Sequence, residues 1–182
     1  MHFDSFNIRQ IKKSDAPEYF LFIEKNRKRI ARYFPTTTSS TKDLDSTSRL
    51  ISNQLSMSRR KEFFHFLICD TLSNAIVGSI IIKNIDWLIQ KCELGYFINK
   101  NHEGKGITTK ALSLIVDHCF KELELNKVYM RIAEDNFPSR RVAEKNGFVI
   151  EGTLRQDFKI AKGYWIDVVY YGLLKQSKKQ KL

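Results

Sequence analysis

Two glycines, Gly104 and Gly106, lie between a predicted strand over residues 92–99 and a predicted helix over residues 107–123. This arrangement constrains the chain more than any other feature. The first N–H groups of a helix have no partner within the helix, and the helix dipole places positive charge at the same end. Glycine has no side chain to keep a bulky anion away from the backbone. The arrangement therefore indicates a site for a phosphate group.

Two glycines before a helix also occur in ordinary loops, so the pattern alone is a weak signal. The loop lacks the Lys-Ser/Thr ending of a nucleoside triphosphate-binding loop, and its glycine spacing is not Gly-x-Gly-x-x-Gly. Both features disfavour nucleoside triphosphates and dinucleotides as ligands.

Four segments in and after the loop carry a resemblance to a known family. They are Asn101-His-Glu-Gly-Lys-Gly106, Asn136-x-x-Ser139, residues 144–148 and residues 151–155. The first is similar to the Q/R-x-x-G-x-G/A signature of the GNAT superfamily of N-acetyltransferases, which holds the pyrophosphate of acetyl-coenzyme A. Asn101 stands where the family has Gln or Arg. The resemblance covers roughly residues 7–174. Within the family, the chain looks most like the branch that acetylates N-terminal amines of ribosomal proteins.

The resemblance implies an α+β fold, in which residues 1–176 form a single GNAT-type domain and residues 177–182 form a basic tail. The expected architecture is a mixed, twisted sheet of about seven strands, with a splayed central parallel pair and about four helices. Acetyl-coenzyme A is the implied co-substrate, no metal is implied, and an amine attacks the thioester directly in a ternary complex.

The resemblance also implies where the co-substrate binds. The pantetheine arm enters the gap between the splayed strands, where backbone groups around Phe97 and Ile98 bind the arm and the thioester oxygen. Asn136 is expected to contact the pantetheine amides, to cap its helix, or to do both. The full set of expected contacts is Phe97, Ile98, Asn99, His102, Glu103, Gly104, Lys105, Gly106, Ile107, Thr108, Thr109, Asn136 and Ser139.

Acetyl transfer from a thioester to an amine needs a neutral amine and a stabilised thiolate. Because an α-amino group has a pKa near 7.7–8, a carboxylate acting through water is a sufficient base. Glu93 and Asp157 are the candidate bases, and a plain surface position is the alternative for Glu93. Ser139 is the candidate donor to the thiolate, and a solvent-exposed helix serine is its alternative. His102 is expected beside phosphate or as a bystander, and His65 in a structural role.

Periodicity predicts the remaining elements. A helix capped at Asp15 carries an inward stripe of Phe20, Ile23, Ile30 and Phe34, and Pro35 ends it. A polar loop over residues 36–45 leads to a second helix, and in the family this helix pair forms a wall of the acceptor groove. Tyr33 and Phe34 are the candidates for lining that wall, with core packing as the alternative for Phe34. The other expected elements are an edge strand over residues 5–11, a helix over 43–60, strands over 62–70, 74–85, 127–133, 148–154 and 164–174, and a helix over 137–148.

Length and composition fit one domain: the chain has 182 residues, of which 42% are hydrophobic. No apolar stretch reaches the length of a membrane span, and the N-terminus lacks a signal-peptide core, so a cytoplasmic protein without a membrane partner is predicted. Cys69, Cys92 and Cys119 have neither zinc nor disulfide spacing and lie in apolar runs. Buried free thiols are therefore expected.

The net charge of +11 is concentrated in residues 25–32 and 172–182. The first stretch holds Lys25, Arg27, Lys28, Arg29 and Arg32. These cations form either a solvated face or a landing site for an acidic ribosomal protein or ribosomal RNA. Because the rest of the chain is nearly balanced in charge, a polyamine substrate is disfavoured.

The predicted function is acetylation of a protein N-terminal α-amine, most of all that of a ribosomal protein. One alternative is acetylation of a small amine such as an antibiotic or an amino acid. Another is a catalytically silent coenzyme A sensor that binds ribosomes, although the basic stretches lack interleaved aromatic platforms apart from Tyr33 and Phe34. The oligomeric state stays open.

Overall fold

The computed structural model describes residues 1–175, which form one mixed eight-stranded sheet and five α-helices. The strands are β1 (His2–Phe3), β2 (Phe6–Gln10), β3 (Phe64–Asp70), β4 (Ile76–Asp86), β5 (Lys91–Ile98), β6 (Lys127–Ala133), β7 (Val149–Lys159) and β8 (Trp165–Leu174). The helices are α1 (Ala16–Ile30), α2 (Pro35–Ser39), α3 (Leu44–Arg59), α4 (Ile107–Lys121) and α5 (Phe137–Lys145). Two 3₁₀ turns lie at Lys13–Asp15 and Lys100–His102.

The sheet order is β1-β2-β3-β4-β5-β6-β8-β7, and β5 and β6 are its parallel pair. Helix α4 connects these two strands, as the crossover between parallel neighbours requires. Helices α4 and α5 pack against β5 and β6, whereas α1 and α3 pack against β3 and β4. The parallel pair therefore lies at the centre of the sheet, beside the glycine loop that begins α4.

Alternation along β5 separates two apolar cores, one on each face of the sheet. Cys92, Leu94 and Ile98 belong to the core that includes α4. Phe97 points the other way and belongs to the core that includes α1. Burial of these side chains stabilises the sheet by removing apolar surface from water and fixes which face each β5 side chain occupies.

The predicted α+β domain is confirmed, with eight strands and five α-helices where about seven and about four were expected. The cysteine prediction is also confirmed, because Cys69, Cys92 and Cys119 are buried free thiols. The proposed boundary at residue 176 and the basic tail lie outside the described residues. Among the helices of residues 1–175, none has the length and apolar character needed to cross a bilayer.

The first helical region differs from the prediction. Helix α1 ends at Ile30, and Pro35 begins α2 instead of ending α1, because proline is well suited to the first position of a helix. Short helix α2 therefore lies in what was predicted to be loop. The buried face of α1 carries Tyr19 and Phe22, whereas Phe20 is only half-buried.

Two strand predictions also need correction. The strand predicted at the edge, now β2, has β1 on its outer side and is not an edge strand. Strand β7 continues to Lys159, past the predicted end at residue 154, because it pairs with β8 up to Trp165. The register of this pair shifts twice, and such irregularities break the simple alternation from which strands are predicted.

Candidate active site

Strands β5 and β6 separate after three paired residues, and the gap between them is the centre of the site. The parallel ladder joins residues 91–93 to residues 127–129 and then stops. The following residues of β5 stay paired only with β4. The gap therefore leaves main-chain N–H and C=O groups of β5 without a strand partner, in the splayed geometry that the family resemblance implies.

The alternation of hydrogen bonds along β5 determines which N–H groups face the gap. The N–H of Asn99, directly after β5, donates to the carbonyl of Val77 in β4 at 2.7 Å. Because main-chain groups of antiparallel strands alternate in direction, the N–H groups of Tyr96 and Ile98 point into the gap and that of Phe97 points to β4. This favours Tyr96 and Ile98 over Phe97 as main-chain donors to a ligand.

Gly104 and Gly106 adopt φ angles of 73° and 75° at the entrance of α4. These angles are accessible to glycine and strained for most other residues. A Cβ atom at either position would meet no protein atom within 4 Å, and both residues line a cavity of about 570 Å³. Helix α4 has no side-chain cap at Gly106, so its first N–H groups are available to an anion.

Nearly all residues predicted to hold the co-substrate line this cavity; Asn99 and Lys105 do not. The Asn99 side chain instead accepts the Asn101 N–H at 3.2 Å and caps a 3₁₀ turn. The predicted residues in the lining are Phe97, Ile98, His102, Glu103, Gly104, Gly106, Ile107, Thr108, Thr109, Asn136 and Ser139.

The cavity also has lining residues that the sequence analysis missed. Arg29 reaches the glycine loop from α1, pairs with Glu103 at 2.6 Å and donates to the Ile98 carbonyl. Other missed residues lie on α5 at helical spacing, a signal that was present in the sequence. The missed lining residues are Arg29, Ile30, Tyr96, Pro138, Arg141, Val142 and Lys145.

The start of α5 forms the wall opposite β5. Asn136 Oδ1 accepts the Ser139 N–H at 3.4 Å, so Asn136 both caps α5 and lines the cavity. The Tyr96 hydroxyl donates to the Ser139 carbonyl at 2.9 Å and connects β5 to α5. Burial raises the pKa of Tyr96, which keeps that hydroxyl protonated. The Ser139 hydroxyl makes no hydrogen bond within residues 1–175 and is available to a ligand.

A second, smaller cavity of about 70 Å³ lies in the gap itself. The cavity beside the glycine loop is the larger of the two. Tyr33 and Phe34 form its outer wall, as the resemblance implies for the acceptor side, and Phe34 also packs edge-on against Phe97 at 4.9 Å. A Cβ atom on Gly95 would lie 3.3 Å from the Ile81 side chain of β4, which is a tight contact, and 3.6 Å from Phe34, which is an ordinary one, so glycine here makes room for Ile81. The two cavities share Tyr33, Phe34, Tyr96, Asn136 and Ser139.

Arg131 joins the two candidate bases, with one guanidinium nitrogen 3.2 Å from Glu93 and another 2.8 Å from Asp157. Glu93 is not a surface residue: its side chain is 5% exposed and also contacts Lys83 at 3.1 Å and Asn84 at 2.7 Å. Arg131 lines the smaller cavity, whereas neither carboxylate lines either cavity. Because its carboxylate is enclosed by Lys83, Asn84 and Arg131 and lines neither cavity, these contacts favour a structural role for Glu93.

Replacing Glu93 by Gln is expected to lower the free energy of unfolding by about 1–3 kcal/mol, because Lys83 and Arg131 lose a buried counter-charge but stay partly exposed. Chemical denaturation measures this. Asp117→Asn, which removes an exposed pair with Lys121, should change stability by at most about 1 kcal/mol. If Glu93→Gln kept the stability of the unmodified protein but lost one limb of the pH–rate profile, Glu93 would instead be the base.

The two histidines of interest differ in access. His102 lines the larger cavity, meets Phe6 edge-on at 6.3 Å, and has a buried Nδ1 without a partner among the described residues. His65 contacts Gln54 and Ser79, each at 2.8 Å, and burial lowers its pKa to about 3. His65 is therefore neutral and enclosed, which supports the structural role predicted for it.

The basic stretch 25–32 is largely used inside the protein. Its arginines contact other segments: Arg27 the carbonyls of Thr38 and Thr41, Arg29 the Glu103 carboxylate, and Arg32 the Asp135 carboxylate. Lys25 and Lys28 stay exposed. Within residues 1–175, this stretch therefore offers a partner two lysines without an ion pair, together with Arg32, which is exposed but paired with Asp135. Within residues 1–175, no group of three or more His, Cys, Asp or Glu side chains is placed to hold a metal.

The sequence profile of the acetyltransferase (GNAT) domain family matches residues 6–149. YjcK of Bacillus subtilis, a probable N-acetyltransferase, is 29% identical over 174 residues, 95% of this chain and 96% of that protein. The ribosomal-protein-serine acetyltransferase of Escherichia coli is 35% identical over 81 residues, 44% of this chain and 45% of that protein. The spermidine N(1)-acetyltransferase of Vibrio cholerae is 29% identical over 99 residues, 54% and 57% of the two chains.

Solved structures share the fold. The ribosomal-protein-S5-alanine acetyltransferase of Vibrio fischeri has a TM-score of 0.91 and 23% identity, and the match covers 97% of each chain. RimL, a ribosomal L7/L12 α-N-protein acetyltransferase in complex with coenzyme A, has a TM-score of 0.86 and 20% identity, and the match covers 93% of this chain and 94% of that one.

Proposed function

We propose that this chain, which belongs to the GNAT acetyltransferase family and is an acetyl-coenzyme A-dependent N-acetyltransferase, acetylates the N-terminal α-amine of a ribosomal protein. Acetyl-coenzyme A is the co-substrate, and the cavity beside the glycine loop has main-chain donors at the start of α4 that can receive its phosphates. The open question is the acceptor amine.

The composition of the smaller cavity carries the proposal. None of the described residues that line it is Asp or Glu. An acceptor must therefore arrive with a neutral amine or lose its proton through water. At pH 7 roughly 10–20% of an α-amine is neutral, compared with about 0.04% of a lysine amine. A site without a direct carboxylate favours the α-amine.

Each step can be assigned to groups around the gap. The amine nitrogen attacks the thioester carbon, and the main-chain N–H groups of Tyr96 and Ile98, which face the gap, stabilise the oxygen that gains charge. The C–S bond then breaks, and the Ser139 hydroxyl donates a hydrogen bond to the thiolate. Asp157, exposed and 2.8 Å from Arg131, takes the amine proton through water.

The ion pairs on strands β4 to β7 disfavour a polyamine acceptor. Three carboxylates there are matched by cations: Glu93 by Lys83 and Arg131, Asp157 by Arg131, and Glu151 by Lys127. A polycation would have to displace these partners, because no excess negative charge is available to hold it. The names of the ribosomal-protein acetyltransferases among the relatives support a protein acceptor. Because another relative is named a spermidine acetyltransferase, a polyamine is the alternative acceptor that must be tested.

The test is coenzyme A release with matched acceptors at pH 7. A peptide with a free N-terminus and no lysine is compared with the same peptide carrying a blocked N-terminus and one lysine, and with spermidine and an aminoglycoside. The free N-terminus is expected to give a kcat/KM at least about 100-fold higher than the lysine peptide, following the neutral fractions. Incubation with unacetylated ribosomal proteins, read by mass spectrometry, identifies which N-terminus is modified.

Different results point to different alternatives. A higher kcat/KM for spermidine or an aminoglycoside would replace the protein acceptor with a small amine. Coenzyme A binding without turnover of any acceptor would favour the sensor function. Turnover of free N-termini with no preference for ribosomal sequences would keep the α-amine and overturn the ribosomal assignment.

A further inference from the structure

Two cationic side chains of helix α5 line the larger cavity. Arg141 and Lys145 lie about one turn apart on α5, and both line the cavity together with Val142. Arg140, the neighbour of Arg141, does not line it, and its guanidinium donates to the Tyr171 hydroxyl at 3.1 Å. The helix thus separates one structural arginine from two cations that face the cavity.

These two cations are free of internal partners. Neither Arg141 nor Lys145 forms an ion pair with any residue in the described part of the chain, residues 1–175. Arg29, the other arginine in the lining, is paired with Glu103 at 2.6 Å. Two unpaired cations on one wall create a positive potential that favours a strongly anionic ligand group at that position.

Coenzyme A carries such a group besides its pyrophosphate. The pyrophosphate matches the N–H groups at the start of α4, on the wall formed by Gly104 and Gly106. The remaining phosphate is a monoester on the 3′ carbon of the adenosine ribose, and a phosphate monoester carries a charge of about −1.5 to −2 at pH 7.

The position of the cations along α5 agrees with this chemistry. Ser139, in the first turn of α5, also lines the small cavity in the gap, where the thioester must react. Arg141 and Lys145 follow it, and Lys145 is the last residue of the helix. They therefore lie toward the nucleotide end of a ligand whose sulfur is at Ser139. We propose that Arg141 and Lys145 bind the 3′-phosphate of coenzyme A, an inference that rests on the co-substrate and not on the acceptor.

The experiment compares the dissociation constants of coenzyme A and 3′-dephospho-coenzyme A by calorimetry. The unmodified protein is expected to bind coenzyme A more tightly. Arg141→Ala combined with Lys145→Ala should weaken coenzyme A binding about 10-fold or more, because two charge-assisted hydrogen bonds are lost at exposed positions. Binding of the dephospho ligand should change less than about twofold, since it lacks the group that these cations contact.

The controls separate phosphate recognition from other effects. Arg59→Ala removes an exposed cation outside the cavity and should leave both ligands unaffected. The single variants Arg141→Ala and Lys145→Ala should show intermediate losses, and they retain a folded protein if the double variant does not fold, because alanine suits an exposed helix position. Equal weakening of both ligands, or no weakening of either, would overturn the assignment. A protein that keeps this preference but acetylates no peptide would overturn only the protein acceptor.

Discussion

Replacing Ser139 by Ala is expected to lower kcat about 10- to 100-fold and to leave the KM for acetyl-coenzyme A nearly unchanged. The Ser139 hydroxyl lies at the junction of the two cavities, and it has no internal hydrogen bond among the described residues. Its proposed role is to stabilise the thiolate, whose charge appears only as the C–S bond breaks. Removing such a donor raises the barrier without weakening the ground-state complex.

Steady-state kinetics with the preferred peptide decides this. Ser113→Ala is the matched control, because Ser113 is an exposed helical serine on α4 that lines neither cavity. An unchanged kcat for Ser139→Ala, or a loss that appears wholly in the KM, would show that the Ser139 hydroxyl does not stabilise the thiolate. Tyr96, whose protonated hydroxyl lies beside the Ser139 carbonyl, would then be the next donor to test.

The conformation of the glycine loop was predictable because it depends on local sequence. A strand, two glycines and a helix follow one another within one short segment, and the positive φ angles of Gly104 and Gly106 are what glycine in such a turn provides. The cap formed by Asn136 is also a local interaction, which spans three residues. Features that one segment determines can be read from its sequence.

The charged groups were less predictable, because their partners come from distant segments. Arg29 belongs to a stretch that resembles a solvated basic face, yet it binds Glu103, which is 74 positions away. Glu93 resembles a strand residue open to the groove, yet Lys83, Asn84 and Arg131 enclose it. Sequence periodicity reports which face a side chain occupies, but not which charge from another element meets it there.

The missed residues on α5 have a similar cause. Asn136 and Ser139 match a family motif, which predicts their roles, whereas no motif in the rest of this helix predicts a function. Once α5 packs beside the gap, helical spacing brings Arg141 and Lys145 to the same cavity. The pattern was visible in the sequence, but only the packing of α5 shows which side of the helix faces the cavity.

Replacing Gly106 by Val is expected to weaken coenzyme A binding at least about 100-fold, since two or more charge-assisted hydrogen bonds to phosphate would be lost. At a φ of 75° a β-branched residue is strained, so the loop would rearrange and its N–H groups would change direction. The added side chain would also enter the cavity, because a Cβ at this position meets no protein atom within 4 Å.

Gly163→Val is the matched control for backbone strain. Gly163 lies in the turn between β7 and β8 with a φ of 88°, and a Cβ there also meets no atom within 4 Å. Both variants should lose stability through similar strain, whereas only Gly106→Val should lose coenzyme A affinity in calorimetry. Equal losses of affinity would assign the effect to stability. Normal affinity in a folded Gly106→Val protein would place the pyrophosphate away from the start of α4, because a valine side chain and a bound phosphate cannot share that space.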